Sequence, residues 1–297
     1  MKIGIAGTGK MGTAIAKRLL RLGHQLSVWN RNPARAQALL DLGASAADSP
    51  RELAQSNELV ISMLTDEAAL DQVYLGQAGL LSGDVKQTLF IDMSTVKPAQ
   101  AQAIGAKAAA AGAAYLECPV GGSVGPASEG KLLGFVGGDA AVLDRARPVL
   151  EQLCRRVEHV GPLGAGATMK LAVNLPLMVY WQTFSEALSL IQPLGLDPKR
   201  VVEIFAETSG GPNMLKVRGA TIAQALGGNS SAPVSVDVAT MRKDVRSMLA
   251  QGQLQQVELP LTALALQCFD RAAATGLDAA DCTQLPVWWL SQGGQAA

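Results

Sequence analysis

Ile3-Gly4-Ile5-Ala6-Gly7-Thr8-Gly9-Lys10-Met11-Gly12 opens the chain with an apolar run that passes straight into a G-x-G-x-x-G turn. Ala14 to Leu22 then continues with helical spacing. In a strand–turn–helix unit each glycine has its own task. Gly7 allows the tight turn, Gly9 lets a pyrophosphate approach the backbone, and Gly12 lets helix and strand pack closely. The N–H groups at the helix start and the helix dipole favour a diphosphate. Gly7, Thr8, Gly9, Lys10, Met11 and Gly12 are therefore candidates for binding a dinucleotide.

The second strand, Gln25-Leu26-Ser27-Val28-Trp29, runs into Asn30-Arg31-Asn32-Pro33. An NAD site places an Asp or Glu here, about 20 residues past the glycines, to accept from the ribose 2′-hydroxyl. This chain has Asn30 in that place and Arg31 after it. A carboxylate repels a 2′-phosphate, whereas a guanidinium pairs with it through charge-assisted hydrogen bonds. Arg35, one turn on, adds a second positive charge, and Asn32 lies between them. The expected cofactor is NADP(H) in preference to NAD(H).

With 297 residues the chain is long enough for two domains and a large core. Lys+Arg and Asp+Glu are both 25, so the net charge is zero and leaves no footprint for nucleic acid or an anionic membrane. Met1-Lys2-Ile3 shows no signal-peptide pattern, which points to the cytoplasm. The apolar stretch Leu171 to Leu190 carries Asn174, Pro176, Gln182 and Glu186 and suits a buried helix better than a membrane span. Cys118, Cys154, Cys268 and Cys282 lie far apart, and His24 and His159 are the only histidines, so no metal cluster is expected and the thiols read as reduced.

From residue 1 to 162 apolar strands alternate with helical runs, the pattern of an α/β fold with a doubly wound parallel sheet. Further strand candidates are Leu59–Met63, Thr88–Ile91, Tyr115–Cys118, Leu133–Val136 and Val157–Val160. Pro98–Ala111 and Ala140–Leu153 read as helices, the latter with Asp139 as its N-cap. After Gly161-Pro162-Leu163-Gly164 the strand signal disappears, and a long helix is expected from about Ala167 to Leu194. The expected organisation is a Rossmann domain over 1–162, an interdomain helix over 163–194, and an all-helical C-terminal domain over 195–297. The tail with Trp288 and Trp289 is apolar enough to pack on the body or on a second subunit.

Lys170 and Asn174 are four residues apart and share one face of that long helix. An ammonium beside a neutral amide suits proton transfer to a carbonyl oxygen as hydride arrives. An ordinary lysine is protonated at neutral pH, which suits reduction. Cys118-Pro119-Val120-Gly121-Gly122-Ser123-Val124-Gly125 follows the fifth strand at the carboxyl edge of the sheet, where ligands sit in open α/β sheets. Its small residues expose N–H groups and a hydroxyl able to hold a carboxylate. Asp92-Met93-Ser94-Thr95 reaches the same edge, with Thr95 as a candidate for nicotinamide or substrate. Met63, Leu64 and Thr65, where the Leu59–Met63 strand ends, join the cofactor candidates.

Together these stretches resemble the β-hydroxyacid dehydrogenase family, which includes 3-hydroxyisobutyrate dehydrogenases and NADPH-dependent glyoxylate/succinic semialdehyde reductases. The resemblance runs through the glycine turn, Asp92–Thr95, the Pro119–Leu132 loop, the helix of Lys170, and Lys243-Asp244. Phe184-Ser185-Glu186-Ala187 and Asn30-Arg31 look closest to the reductase branch. The resemblance implies a Rossmann domain with a helical dimerising domain, Lys170 as catalytic acid/base, and Asn174 holding it and the substrate. It also implies that Lys243 reaches the cofactor and that Thr95, Gly121, Gly122 and Ser123 contact cofactor or substrate. Gly121 stands in place of the family's serine, Val236 in place of an aromatic residue that often closes the pocket, and Val173 in place of the first of two asparagines. A substrate larger or less acidic than glyoxylate is therefore expected.

The resulting expectation is an NADPH-dependent reductase of a small aldehyde or keto acid, reversible as a 3-hydroxyacid dehydrogenase and assembled as a homodimer or homotetramer. Two alternatives remain open on sequence. Imine reductases resemble this family but usually carry another residue at the lysine position. A non-catalytic NADP-binding scaffold is the other.

Overall fold

The structure is a computed structural model and describes residues 1–229 and 233–293. Two compact units make up the chain, Met1–Ala172 and Val173–Ala297.

The first unit is built on a nine-stranded sheet. Its strands are β1 (Lys2–Ala6), β2 (Gln25–Trp29), β3 (Ser45–Ala46), β4 (Leu59–Ser62), β5 (Leu89–Asp92), β6 (Ala114–Glu117), β7 (Val120–Gly121), β8 (Leu132–Gly137) and β9 (Cys154–Gly161). They lie in the order β3-β2-β1-β4-β5-β6-β8-β7, with β9 on β8. The chain leaves β1 toward β2 on one side and returns to β4 on the other, so the strand order reverses at β1. Helices cover both faces: α1 (Lys10–Arg21), α2 (Gln37–Leu40), α3 (Pro50–Gln55), α4 (Glu67–Leu75), α5 (Pro98–Ala110), α6 (Val124–Glu129) and α7 (Ala140–Leu153).

Alternation along the central strands builds two cores. Leu59, Ile61, Leu89 and Ile91 pack with Ile15, Leu19, Leu143 and Leu150. Val60 and Phe90 point the other way, toward Leu53, Leu70, Tyr74 and Ile104. Burial on both faces explains why these strands read as continuous apolar runs. α7 spans the residues expected of it, and the Asp139 carboxylate accepts from Ala141 N at 2.7 Å.

The sheet departs from all-parallel in one region. β8 runs antiparallel to β6, through Glu117 and Gly137, and to β7, through Val120–Gly134 and Gly121–Leu133. The bond from Phe135 N to Pro119 O bridges the two, so β6 and β7 form one antiparallel edge against β8. Between β6 and β8 the chain forms β7 and the six-residue α6, and it turns back along the edge it has just built instead of crossing over the sheet. β3 and β7, two residues each, carry no periodicity to read.

The long helix α8 runs Ala165–Ile191 and gives way to a 3-10 turn at Gln192–Leu194, where Pro193 offers no N–H to continue the ladder. In the second unit its lower half is joined by α9 (Pro198–Glu207), α10 (Asn213–Leu226), α11 (Val238–Leu254), α12 (Pro260–Ala274) and α13 (Gln284–Trp288). Trp181, Phe184, Ile222, Val245 and Phe269 are buried there, and Phe184 meets Phe205 edge-on at 5.2 Å. Trp288 is buried, and the Arg271 guanidinium lies over it and Trp289 at 6.0 and 5.8 Å, so these indoles pack on the body. No helix among the described residues is long and apolar enough to cross a membrane.

Asp281 ties the approach to α11. Its carboxylate accepts from Ser235 N and Oγ at 2.6 and 2.8 Å, from Thr283 N and Oγ1 at 3.0 and 2.9 Å, and from Arg218 at 3.1 Å. Burial alone raises such a carboxyl, but these donors and the guanidinium bring it down to about 2. A depressed carboxyl stabilises the fold above its unfolded value of 3.8, and that contribution is lost as pH falls through 2. Asp281→Asn is expected to lower stability by about 2 kcal/mol at pH 5. The gap to wild type should close toward pH 2, measured by thermal unfolding across that range. A gap independent of pH overturns this account.

Candidate active site

The carboxyl ends of β1, β2, β4 and β5 meet at one edge of the first unit. Gly7 takes φ +99°, and any Cβ there would run into the Met63 carbonyl oxygen, so the turn requires glycine. Gly7 N donates to Trp29 O at 2.9 Å, and Thr8 N donates to Asn30 Oδ1 at 3.0 Å. Asn30 Nδ2 donates in turn to Asn32 O at 2.9 Å, and Asn32 Oδ1 accepts from Ala34 N to cap the turn Pro33–Ala36. Met63 N donates to Ala6 O at 2.9 Å, and Leu64 N to Ser94 Oγ at 2.9 Å. The structure thus brings Gly7, Thr8, Asn30, Met63 and Leu64 together around one turn. Thr65 is exposed and Thr95 half-buried on the neighbouring strand exits.

This cradle fits a dinucleotide. α1 starts at Gly9 with no side-chain cap and no acidic residue in its first turn, which leaves N–H groups for an anion. A Cβ on Gly9 would meet nothing within 4 Å, so space lies open over the turn. Thr8 Oγ1 is buried and makes no hydrogen bond. Lys10, Arg31 and Arg35 are exposed, and among the described residues none of the three forms an ion pair.

Beneath the edge lies a buried carboxylate. Asp92 Oδ1 accepts from Ser62 Oγ at 2.7 Å and from Ser94 Oγ and N at 2.6 and 3.2 Å, while Ser62 Oγ also meets Tyr74 Oη at 2.9 Å. Burial pushes the Asp92 carboxyl above its ordinary range against the pull of these bonds. Ser94 carries the constraint outward, because its hydroxyl both donates to Asp92 and accepts from Leu64. Sequence alone singled out Thr95 in this stretch; the part played by Asp92 and Ser94 needs the fold to be seen.

Gly121 ends β7 half-buried, and Gly122 and Ser123 are exposed beyond it, with Gly122 at φ +123°. Glu117, two residues before Pro119, is buried against the start of α8. Lys170 lies in the second turn of α8 with only 8% of its surface exposed, and Asn174 follows one turn on. Lys243 belongs to α11 in the second unit and pairs with Asp244 at 2.9 Å. Among the described residues no group of three His, Cys, Asp or Glu could hold a metal ion.

Residues 2–161 match the NAD-binding domain of 6-phosphogluconate dehydrogenase, and residues 164–288 match the NAD-binding domain of NADP-dependent 3-hydroxyisobutyrate dehydrogenase. The chain belongs to the β-hydroxyacid dehydrogenase family. It is an oxidoreductase that binds a pyridine nucleotide and acts on hydroxyl or carbonyl groups of small molecules.

This β-hydroxyacid dehydrogenase is 37% identical to 3-hydroxyisobutyrate dehydrogenase of Pseudomonas aeruginosa, over 90% of each chain. It is 32% identical to glyoxylate/succinic semialdehyde reductase 1 of Arabidopsis thaliana, over 93% of this chain and 94% of that one. Among solved structures, Psf3 in complex with NADP+ and 2-OPP superposes with a TM-score of 0.86 at 29% identity, covering 96% of this chain and 99% of that one.

The two glycines flanking the turn separate ligand binding from folding. A Cβ on Gly12 would overlap the Gly7 carbonyl oxygen, whereas one on Gly9 finds open space. Gly9→Ala is expected to keep the melting temperature within about 2 °C and to weaken binding of the pyridine nucleotide, titrated as NADPH and as NADH, about tenfold, while Gly12→Ala lowers the melting temperature by about 5 °C or more. Calorimetric titration and thermal unfolding of both variants test this. Equal effects of the two substitutions on both readouts contradict it.

Proposed function

We propose that this enzyme is an NADPH-dependent reductase of a small aldehyde or keto acid, reversible as a 3-hydroxyacid dehydrogenase, with Lys170 as general acid/base. The observation that carries the reading is the burial of Lys170, at 8% exposure, on a helix in a chain of this family. Lysine is seldom buried without a task, because its ammonium loses hydration. When bound, the reduced nicotinamide supplies hydride to the carbonyl carbon. Lys170 donates its proton to the carbonyl oxygen and takes it back in the oxidative direction. Asn174, on the same helical face, holds the lysine and the substrate oxygen.

Relatives named for 3-hydroxyisobutyrate and for glyoxylate/succinic semialdehyde support a substrate that carries a carboxylate as well as the reacting oxygen. Thr95 and Gly121, Gly122 and Ser123 supply the substrate contacts in this reading, and Lys243 adds a cofactor contact. NADP(H) is preferred over NAD(H) because Arg31 and Arg35 present positive charge where an NAD enzyme keeps a carboxylate. The four free cysteines fit a reducing, cytoplasmic setting. Exposed Leu254, Val257, Leu261 and Leu264, near the turn from α11 to α12, fit a homo-oligomer.

Lys170→Met is expected to lower kcat by about 10²–10⁴-fold with glyoxylate or succinic semialdehyde while leaving NADPH affinity within about threefold. Turnover is followed by NADPH absorbance and binding by fluorescence; a variant that turns over at the wild-type rate refutes the lysine's role. Arg31→Ala is expected to reduce the preference for NADPH over NADH about tenfold or more in kcat/KM, since a charge-assisted hydrogen bond is lost. An unchanged ratio removes Arg31 from cofactor choice.

A further inference from the structure

The start of α8 is capped from a distant strand. Glu117, the last residue of β6, is 1% exposed. Its Oε1 accepts from Gly164 N at 2.5 Å and from Gly166 N at 2.9 Å, and its Oε2 accepts from Ala167 N at 3.2 Å. These donors lie at the helix start, where N–H groups have no partner within the helix. α3, α4, α7, α9 and α11 are capped by the Ser or Asp just before them. The α8 cap comes instead from 47 to 50 residues away. The socket is made tight by glycines: a Cβ on Gly137 would overlap Glu117 Oε1, and one on Gly166 would come within 2.5 Å of Phe135 O.

We propose that Glu117 is a positioning residue for Lys170: it locks the first turn of α8 to the carboxyl end of β6 and so fixes where the lysine stands. This rests on the reading of Lys170 as the proton donor. A buried carboxylate costs its hydration, and three N–H bonds with the positive end of the helix dipole offset that cost. Misplacing a catalytic group by about 1 Å can cost about 10²-fold in rate.

Several groups bear on the state of Glu117. Asp92, its register partner on β5, Tyr115 on its own strand and Cys118 just past it are the titratable neighbours, and the α8 amides face it from the other side. Burial raises the Glu117 carboxyl, the three amides pull it back down and Asp92 adds to the rise, which together leave it at about 7. The charged cap therefore forms as pH rises through neutrality.

The test uses the full chain as wild type, Glu117→Gln and Glu117→Asp. Hydrogen–deuterium exchange over residues 164–170 is compared with steady-state reduction of glyoxylate or succinic semialdehyde between pH 6 and 8. In Glu117→Gln the helix start is expected to exchange about tenfold faster, with kcat down about tenfold or more and KM for NADPH within about twofold. The wild-type kcat should rise with pH through about 7 with one proton, and the glutamine variant should lose that limb. Glu117→Asp, charged on a shorter arm, should recover part of the rate and keep the limb. Unchanged exchange in Glu117→Gln refutes the cap. Faster exchange with wild-type kcat at every pH refutes the link to Lys170. A wild-type enzyme inactive on every carbonyl overturns the proton-donor role and the positioning claim together, and exchange still reads the cap by itself.

Discussion

Close contact between a helix and the strand before it governs the rest of the first unit. With no side chain at position 12, α1 comes down onto the Gly7 carbonyl, and with none at position 7 the turn comes against the Met63 carbonyl. Two backbones that would otherwise stand a side chain apart are thus in contact. The first turn of α1 is thereby pinned at the point where strand order reverses, between β2 and β4. Asn30 closes the turn from one side and the Met63–Leu64 segment from the other. The crevice that results is where open α/β sheets take their ligands. Its location follows from steric necessity at two residues.

Rigidity at the same edge comes from two acids. Asp92 and Glu117 are register partners on adjacent strands, each the last residue of its own. Asp92 works through Ser94 to hold the backbone of Leu64, and Glu117 works directly on the amides that open α8. Burial raises both carboxyls, and Asp92 raises Glu117 further. Backbone segments are therefore held by carboxyl groups that burial makes harder to ionise. That is a poor way to add stability and an effective way to fix geometry, because a buried acceptor tolerates little displacement of its donors.

Local signals in the sequence were enough for whatever is decided locally. The β1–turn–α1 unit, α7 with its Asp139 cap, and the loss of strands after Gly161 each depend on residues a few positions apart. Cap recognition works the same way, looking one to three residues ahead of a helix. Glu117 escaped that rule because its amide partners come 47 or more residues later. The direction of β8 escaped as well: its apolar residues read alike in either direction, and the overhanging edge of β6 and β7 decides it. The place of Arg31, exposed two residues past the end of β2, follows from its position in the chain.

Gly121 shows where the fold stops dictating the residue. Its φ is not positive, and a Cβ placed on it would meet Leu133 Cβ and Phe135 Cε2 at 3.7 Å, ordinary van der Waals distances. Backbone conformation therefore does not require glycine there, and packing leaves room for a small side chain. Gly122 next to it is the opposite case, with φ +123° and Leu132 Cδ2 within 2.9 Å of any added Cβ. Of two adjacent glycines, one is held by the chain and the other is free of it. Under the proposed function, the end of β7 therefore has room at position 121 for a hydroxyl to meet the substrate, and this chain leaves that room empty.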